Sequence, residues 1–233
     1  MSREFNESGN RQFWSTFSGS FRRRAKHTDE PSEIITRINK NDKEVKEVAR
    51  TALGGNITNI YFELSEYGEQ LKIELDANEA GQVPILGFGV ESKDGRDLMK
   101  KLPALDLSKE VKFVPYQFVD EDDKRSGITL YQSENGEFDK KIANHFWDEE
   151  KKEFIHGFPT IDWDKATEKE KKIWKIERDT FLKTYLLEHV CSKFPDGLRS
   201  EAELKRSQRI KGEDPAKDID DAFDAAFPDK PPF

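Results

Sequence analysis

The sequence predicts a mainly β protein with added helices, an α+β core held between two ends of opposite charge. Two observations carry that expectation. Apolar and polar residues alternate, at the period of two of a half-buried strand, through most of residues 56–132. Apolar residues are also scarce, 34 % against 37 % charged, yet they gather between about Asn56 and Phe194 and leave the ends too polar to build a core of their own. The 233 residues are therefore divided into a basic, aromatic N-terminal arm (1–30), one core with helical elaborations (31–198), and a linker with a disordered acidic tail (199–233).

The arm, Arg11-Gln-Phe-Trp-Ser-Thr-Phe-Ser-Gly-Ser-Phe-Arg-Arg-Arg24, mixes Ser, Gly and aromatics with a basic cluster. It has neither clean helical nor long strand periodicity and is read as mobile. From Glu33 to Leu53, three isoleucines precede Val45, Val48, Ala49, Ala52 and Leu53, whose spacing predicts a helix stopped by Gly54 and Gly55. Asn56 to Leu64 is the first strand, with Ile60, Phe62 and Leu64 opposite Asn59, Tyr61 and Glu63. Leu71, Ile73 and Leu75 alternate with Lys72 and Glu74 in the second, and Val83 to Val90 is the third. Asp94 to Leu102 is a short helix ended by Pro103. Glu110 to Val119 and Ser126 to Gln132 form a hairpin across the polar run Asp120 to Lys124. A further hairpin is expected around Asp148 to Lys152, then a long helix through Glu168 and Arg178 to Phe194, ended at Pro195-Asp-Gly.

Three meandering strands, a short helix and a two-stranded hairpin is the order of elements in an OB-type five-stranded barrel, a platform for oligonucleotides. A generic α+β domain or another small barrel produces the same string.

Composition excludes several classes. No apolar run reaches the roughly 18 residues that span a bilayer, and no signal-peptide stretch opens the chain, so a cytoplasmic protein, in the host cytoplasm if viral, is expected. The single cysteine, Cys191, excludes an intrachain disulfide. His27, His145, His156 and His189 are scattered without metal-site spacing. Gly87-Phe-Gly89 lacks the rest of a phosphate loop, and no nucleophile elbow is present. Asp218, Asp220, Asp221 and Asp224 lack the glycine and bidentate glutamate of a calcium loop. No catalytic residue, metal or cofactor is expected.

Binding chemistry is more legible. A net charge of −8 opposes a nucleic-acid partner until its distribution is considered. Residues 1–28 hold Arg3, Arg11, Arg22, Arg23, Arg24 and Lys26 against two glutamates, whereas residues 212–233 hold seven acids against two lysines. Single-stranded DNA is held by cations that track phosphates and by rings that stack on bases. Tyr61 and Tyr131 lie opposite the apolar faces of their strands; Tyr116 and Phe118 share a face with Lys112; Lys72 and Arg125 could border the same groove. Trp14 and Phe17 with Arg22, Arg23 and Arg24 combine rings and cations in the arm. The bland reading of Tyr116 and Phe118 is a core pair displaced by Pro115. For the arm, the rival readings are strand addition to a neighbouring protomer or a membrane-surface segment.

The tail Asp218-Ile-Asp-Asp-Ala-Phe-Asp-Ala-Ala-Phe-Pro-Asp-Lys-Pro-Pro-Phe233 combines spaced acids with Phe223, Phe227 and a terminal Pro-Pro-Phe. Together with the barrel order over about residues 56–132, it is similar to the phage type of single-stranded-DNA-binding proteins, whose acidic tails end in an aromatic residue and recruit replication and repair enzymes. That resemblance implies a non-catalytic protein coating single-stranded DNA without strong sequence preference, alone or as a cooperative assembly of copies, in replication, recombination or repair. It implies that Phe227, Pro232 and Phe233 dock into partners, with Asp218, Asp220, Asp221 and Asp224 steering the approach. Lys230 and the interspersed alanines depart from the pattern. The rival readings are a solubilising tail without a partner, an adaptor or transcription regulator acting on a polymerase without binding DNA, and a nuclease with dispersed carboxylates.

Overall fold

The computed structural model describes residues 11–26, 29–39, 41–65, 68–119 and 124–194. Residues 1–10 of the arm and the tail residues from Asp218 to Phe233 lie outside them. Thirteen strands and two α-helices follow one another in the described residues. They are β1 (Arg11–Phe17), β2 (Ser20–Arg24), β3 (Ile34–Ile38), β4 (Glu44–Arg50), β5 (Leu53–Gly55), β6 (Ile57–Ser65), β7 (Gly68–Leu75), β8 (Val83–Gly89), α1 (Lys93–Lys101), β9 (Val111–Val119), β10 (Lys124–Glu134), β11 (Glu137–Lys141), β12 (Trp147–Asp148), β13 (Glu153–Phe154) and α2 (Glu168–His189).

The chain is mostly β with two helices, and its largest layer is a mixed sheet of seven strands in the order β3-β4-β2-β1-β8-β7-β6. A four-stranded sheet, β11-β10-β9-β5, and the small β12–β13 hairpin complete it. Only Asn56 separates β5 from β6, so the chain passes from one sheet to the other at that residue. Asp76 pins the corner, accepting from the Asn56 backbone N–H at 2.9 Å and from its Nδ2 at 2.8 Å. Gly55 has φ +153°, and a Cβ there would lie 2.3 Å from Asp76 Oδ1. One apolar core lies between the layers. Ile60, Phe62, Leu71, Ile73, Leu86 and Phe88 come from the larger sheet and Val111, Phe113, Ile128 and Leu130 from the smaller. Leu98 and Met99 of α1, and Leu182 and Leu186 of α2, complete it.

The five expected strands are β6, β7, β8, β9 and β10, and the short helix is α1. They do not close into a barrel. Closure would require β8 and β10 to bond each other, and both edges are taken. β8 pairs in parallel with β1, Phe13 opposite Ile85. At β10 the side chains of α1 replace a strand: the Ile128 N–H donates to Asp97 Oδ2 at 2.8 Å, and Lys101 Nζ donates to the Ile128 carbonyl at 2.7 Å. Beyond that point β11 pairs with β10.

Two further expectations are corrected. The helix expected over Val45–Leu53 is instead β4 and the start of β5, and the isoleucines before it lie on β3. The spacing of Val45, Val48 and Ala49 suits a helix, but the stretch is rich in β-branched residues, and pairing with β2 and β3 on either side decides the backbone. The arm is not free from Arg11 onward: β1 and β2 form a hairpin at the middle of the large sheet, turned by Ser18 and Gly19 with φ +50° and +72°. Trp14 and Phe21 are its inward, buried apolar residues.

The long helix opens on a capping box, Thr167 with Glu170. Its second half packs on the core through Leu182 and Leu186, while Ile173 and Ile176 of the first half remain exposed. Among the described residues no helix is long and apolar enough to cross a membrane.

Candidate nucleic-acid interface

Strand register assigns the expected contact residues to two outward faces. On the seven-stranded sheet, Tyr61 pairs with Lys72, Lys72 with Gly87, Gly87 with Ser15, Ser15 with Arg22, and Arg22 with Ala49. These residues form one row across six strands, on the side opposite Ile60, Ile73 and Leu86. At about 4.8 Å per strand, Tyr61 and Arg22 stand roughly 19 Å apart. Phe13 and Phe17 flank Ser15 on the same face of β1, 56 % and 46 % exposed. Arg24, exposed at the end of β2, shares this face by alternation with Arg22.

The electrostatics of this face are finely divided. Phe17 lies between two guanidiniums, with Arg22 4.9 Å and Arg37 4.7 Å from its ring centre. Both arginines share the buried carboxylate of Glu47, Arg37 at 2.8 Å and Arg22 at 3.6 Å. The hydrogen bonds from Arg37 outweigh burial and hold Glu47 below the usual carboxylate range. Lys72 lies across Gly87, where a Cβ would meet its Nζ at 3.1 Å; the ammonium is 3.5 Å from Glu63 and 5.7 Å from the Phe13 ring centre. The Tyr61 hydroxyl donates to Glu74 at 3.1 Å. Burial, then the Glu74 charge, push this phenol well above its ordinary value, so it stays a neutral donor.

The second face belongs to the four-stranded sheet. Lys112 pairs with Tyr131, Val114 with Thr129, Tyr116 with Gly127, and Phe118 with Arg125. Phe118 is 66 % exposed, 5.6 Å from the Tyr116 ring, while Phe113 and Pro115 point inward. Phe118 is therefore not a displaced core residue; Tyr116 is half-buried. Burial and the nearby Asp97 and Asp94 raise the Tyr116 phenol. Its ring lies over Gly127, where a Cβ would fall 2.6 Å from the phenol oxygen. Lys112 sits 6.0 Å from the ring centre of Phe138 on β11. The two sheets approach each other at the β1–β2 turn: a Cβ on Gly19 would lie 2.9 Å from the Gln117 backbone nitrogen of β9.

Two expected residues lie elsewhere. Trp14 is 4 % exposed on the core side of β1, because alternation along Arg11–Phe17 sends Gln12 and Trp14 inward. Arg23 also points inward, 9 % exposed, and binds Asp29 through both terminal nitrogens at 2.8 and 2.5 Å. Those bonds lower the Asp29 carboxyl to about 2. The docking residues Asp218, Asp220, Asp221, Asp224, Phe227, Pro232 and Phe233 lie outside the described residues.

The structure also adds residues the sequence reading passed over. Phe13 and Arg37 belong to the first face and Phe138 to the second. Phe13 was legible, since it stands two residues from both Arg11 and Ser15. Arg37 lies on β3, a strand the sequence did not announce. The histidines are less scattered than their numbers suggest. His145 stacks on His156 at 4.3 Å, its Nε2 is 2.9 Å from the Tyr185 hydroxyl, and His189 lies 4.2 Å from the Tyr185 ring. Burial, then His156 and His189, hold His145 below its ordinary value. Among the described residues no three His, Cys, Asp or Glu side chains converge so as to hold a metal ion. No protein-family model matches the chain, and comparisons with curated proteins and with solved structures return no match.

Proposed function

We propose that the chain is a non-catalytic single-stranded-DNA-binding protein acting in replication, recombination or repair. One observation carries the reading. Each exposed phenylalanine on the strands of the two faces stands beside a cation: Phe13 by Lys72, Phe17 between Arg22 and Arg37, and Phe118 opposite Arg125. Rings presented with cations are the chemistry that stacks bases while neutralising phosphates, and every base offers a π-face, so little sequence preference follows. The strand, helix and hairpin order supports an opened relative of the OB-type platform, whose second and third strands bear the oligonucleotide. Here those strands are β7 and β8, and their outward face carries Lys72 and Gly87. Copies bind side by side along a strand in the cytoplasm, and the acidic tail recruits partner proteins through Phe227, Pro232 and Phe233.

The test is a fluorescence-anisotropy titration of labelled oligo-dT at low and high salt, with duplex DNA as control. Salt-sensitive binding to oligo-dT with little binding to duplex is expected. No binding at low salt, with residues 218–233 also removed, overturns the reading. A second reading, a protein adaptor, is favoured by the exposed Ile173, Ile176 and Trp163 on and before the projecting half of α2. It predicts affinity for a protein partner without affinity for oligonucleotide.

A further inference from the structure

β3 ends the seven-stranded sheet; among the described residues it is bonded to β4 on one side and to no strand on the other. The ladder fixes which of its backbone groups face outward. The Asn39 N–H donates to the Lys43 carbonyl at 2.9 Å, in register with the β3–β4 ladder. Hydrogen-bonded pairs alternate along antiparallel strands, so Arg37 with Val45 and Ile35 with Glu47 are the next ones. The far side of β4 has the complementary pattern. There the Ala25 N–H donates to the Lys46 carbonyl at 3.0 Å, so even residues of β4 face β2 and odd ones face β3. Ile34, Thr36 and Ile38 therefore turn their backbone groups away from the sheet. Ile34 spends its N–H on the Pro31 carbonyl, which leaves its C=O and both groups of Thr36 and Ile38 directed outward.

Exposed sheet edges are usually blunted by charge, irregularity or shortness. The β11 edge reads Glu137-Phe-Asp-Lys-Lys141, β6 carries Glu63 and a register shift between Ile57 and Asn59, and β5 has three residues. β3 presents apolar side chains instead: Ile38 is 62 % exposed and Ile35 37 %. Its single charge, Arg37, is neutralised by Glu47 at 2.8 Å.

We infer that β3 pairs antiparallel with β3 of a second copy, about a two-fold axis at Thr36. Each Thr36 then exchanges both backbone bonds with the partner's Thr36, and each Ile38 N–H donates to the carbonyl of the partner's Ile34. Ile34 meets the partner's Ile38 on the inward side, and Ile35 meets the partner's Arg37 on the outward side. Other registers are worse. Residues directly opposite share a face, so the pairing shifts only between centres one residue apart. Centring on Arg37 sets that cation against the partner's Arg37, and centring on Ile35 requires the Ile34 N–H that Pro31 already holds. A two-fold axis between antiparallel strands stands perpendicular to the sheet, so the outward faces of both copies look the same way. Arg37, 4.7 Å from the Phe17 ring centre, brings each stacking face up to the seam. Passage of one DNA strand across both copies rests on the proposed function; the contact itself does not.

The experiment is site-directed disulfide linking of the full chain, without DNA, by oxidised glutathione. A hydrogen-bonded pair holds its Cα atoms about 5.5 Å apart, a span that a disulfide bridges. Thr36→Cys should therefore link two copies at least about tenfold faster than Ile38→Cys, whose counterpart in the partner lies about 14 Å away. Cys191 is buried and does not compete. Sedimentation of the parent reads the same contact reversibly, its mass rising with concentration toward that of two copies. Thr36→Pro removes an N–H that points away from β4, so the edge strand keeps its own ladder. It should weaken the dimer roughly 5- to 150-fold, the worth of the two bonds lost at the axis. The cysteine pair keeps the test decisive if the proline variant misfolds. Linking of Thr36→Cys no faster than Ile38→Cys, or a parent that remains a single copy up to its solubility limit, overturns the inference. Oligo-dT anisotropy is read separately, so a dimer that binds no DNA upholds this contact and removes only the proposed function.

Discussion

Replacement of Phe118 by alanine tests the stacking surface most directly, because the side chain does so little else. It is 66 % exposed, and its ring contact within the sheet is the Tyr116 ring at 5.6 Å. Truncation of this exposed ring, whose neighbour Tyr116 stands two residues along the same strand, costs about 0.5 kcal/mol, so thermal melting should move by no more than a degree or two. A base stacked on the ring is worth about 1–3 kcal/mol, so the Kd for oligo-dT should rise roughly 5- to 150-fold. Anisotropy titration of the full chain gives the Kd, and a melt of the same preparation gives the stability. Phe17→Ala is the companion on the other face. Glu47 still holds Arg22 and Arg37 when that ring is removed, so the loss reports stacking rather than charge. If both variants bind oligo-dT within twofold of the parent and melt unchanged, exposed rings do not stack bases and the argument fails.

The remaining predictions concern groups assigned to the framework. Asp29→Asn removes the charged partner of the inward-facing Arg23 and should cost about 3–5 kcal/mol, lowering the melting temperature by roughly 10 °C while leaving the Kd of folded protein unchanged. The Asp29 carboxyl is lowered from 3.8 to about 2 on folding, so its contribution is complete above 3.8 and lost as pH falls toward 2. The gap between parent and Asp29→Asn melts should close over that interval. Gly127→Ala would place a Cβ 2.5 Å from Asp97 Oδ2 and 2.6 Å from the Tyr116 oxygen, and should cost about 1–3 kcal/mol in a denaturant melt. His145 is held below its ordinary 6.5 by burial first, so the folded protein binds that proton less readily than the unfolded chain. Stability should therefore fall as pH drops through 6.5, and an equally steep fall in His145→Gln would refute the assignment.

The sequence and the structure agree where one face of a strand is apolar and the other polar. Ile60 and Phe62 opposite Tyr61, and Leu71 and Ile73 opposite Lys72, announce β6 and β7 because burial on one side alone fixes both type and register. The N-terminal hairpin was missed for the opposite reason. Phe13 and Phe17 point outward while Trp14 points inward, so both faces of β1 carry rings and the alternation cancels. Burial of Trp14 and Arg23 was illegible for the same reason, since it depends on strands far away in sequence. The segment Val45–Arg50 fails differently, because local spacing favours a helix and only the neighbouring strands overrule it. Barrel closure could not be read at all. It is prevented by two side chains of α1 reaching a strand edge, a contact that no periodicity encodes.

The parallel pairing of β1 with β8 also sets an order of events during synthesis. Residues 11–15 leave the ribosome some seventy residues before their partners at 83–87, and β2 and β4 reach the rest of the large sheet only through β1. The first fifty residues must therefore wait, holding Trp14, Phe21 and Val48 exposed to water, until the third meander strand emerges to receive them. The molecule closes from its middle outward, and the nascent N-terminal fifth is the stretch most in need of protection from other chains.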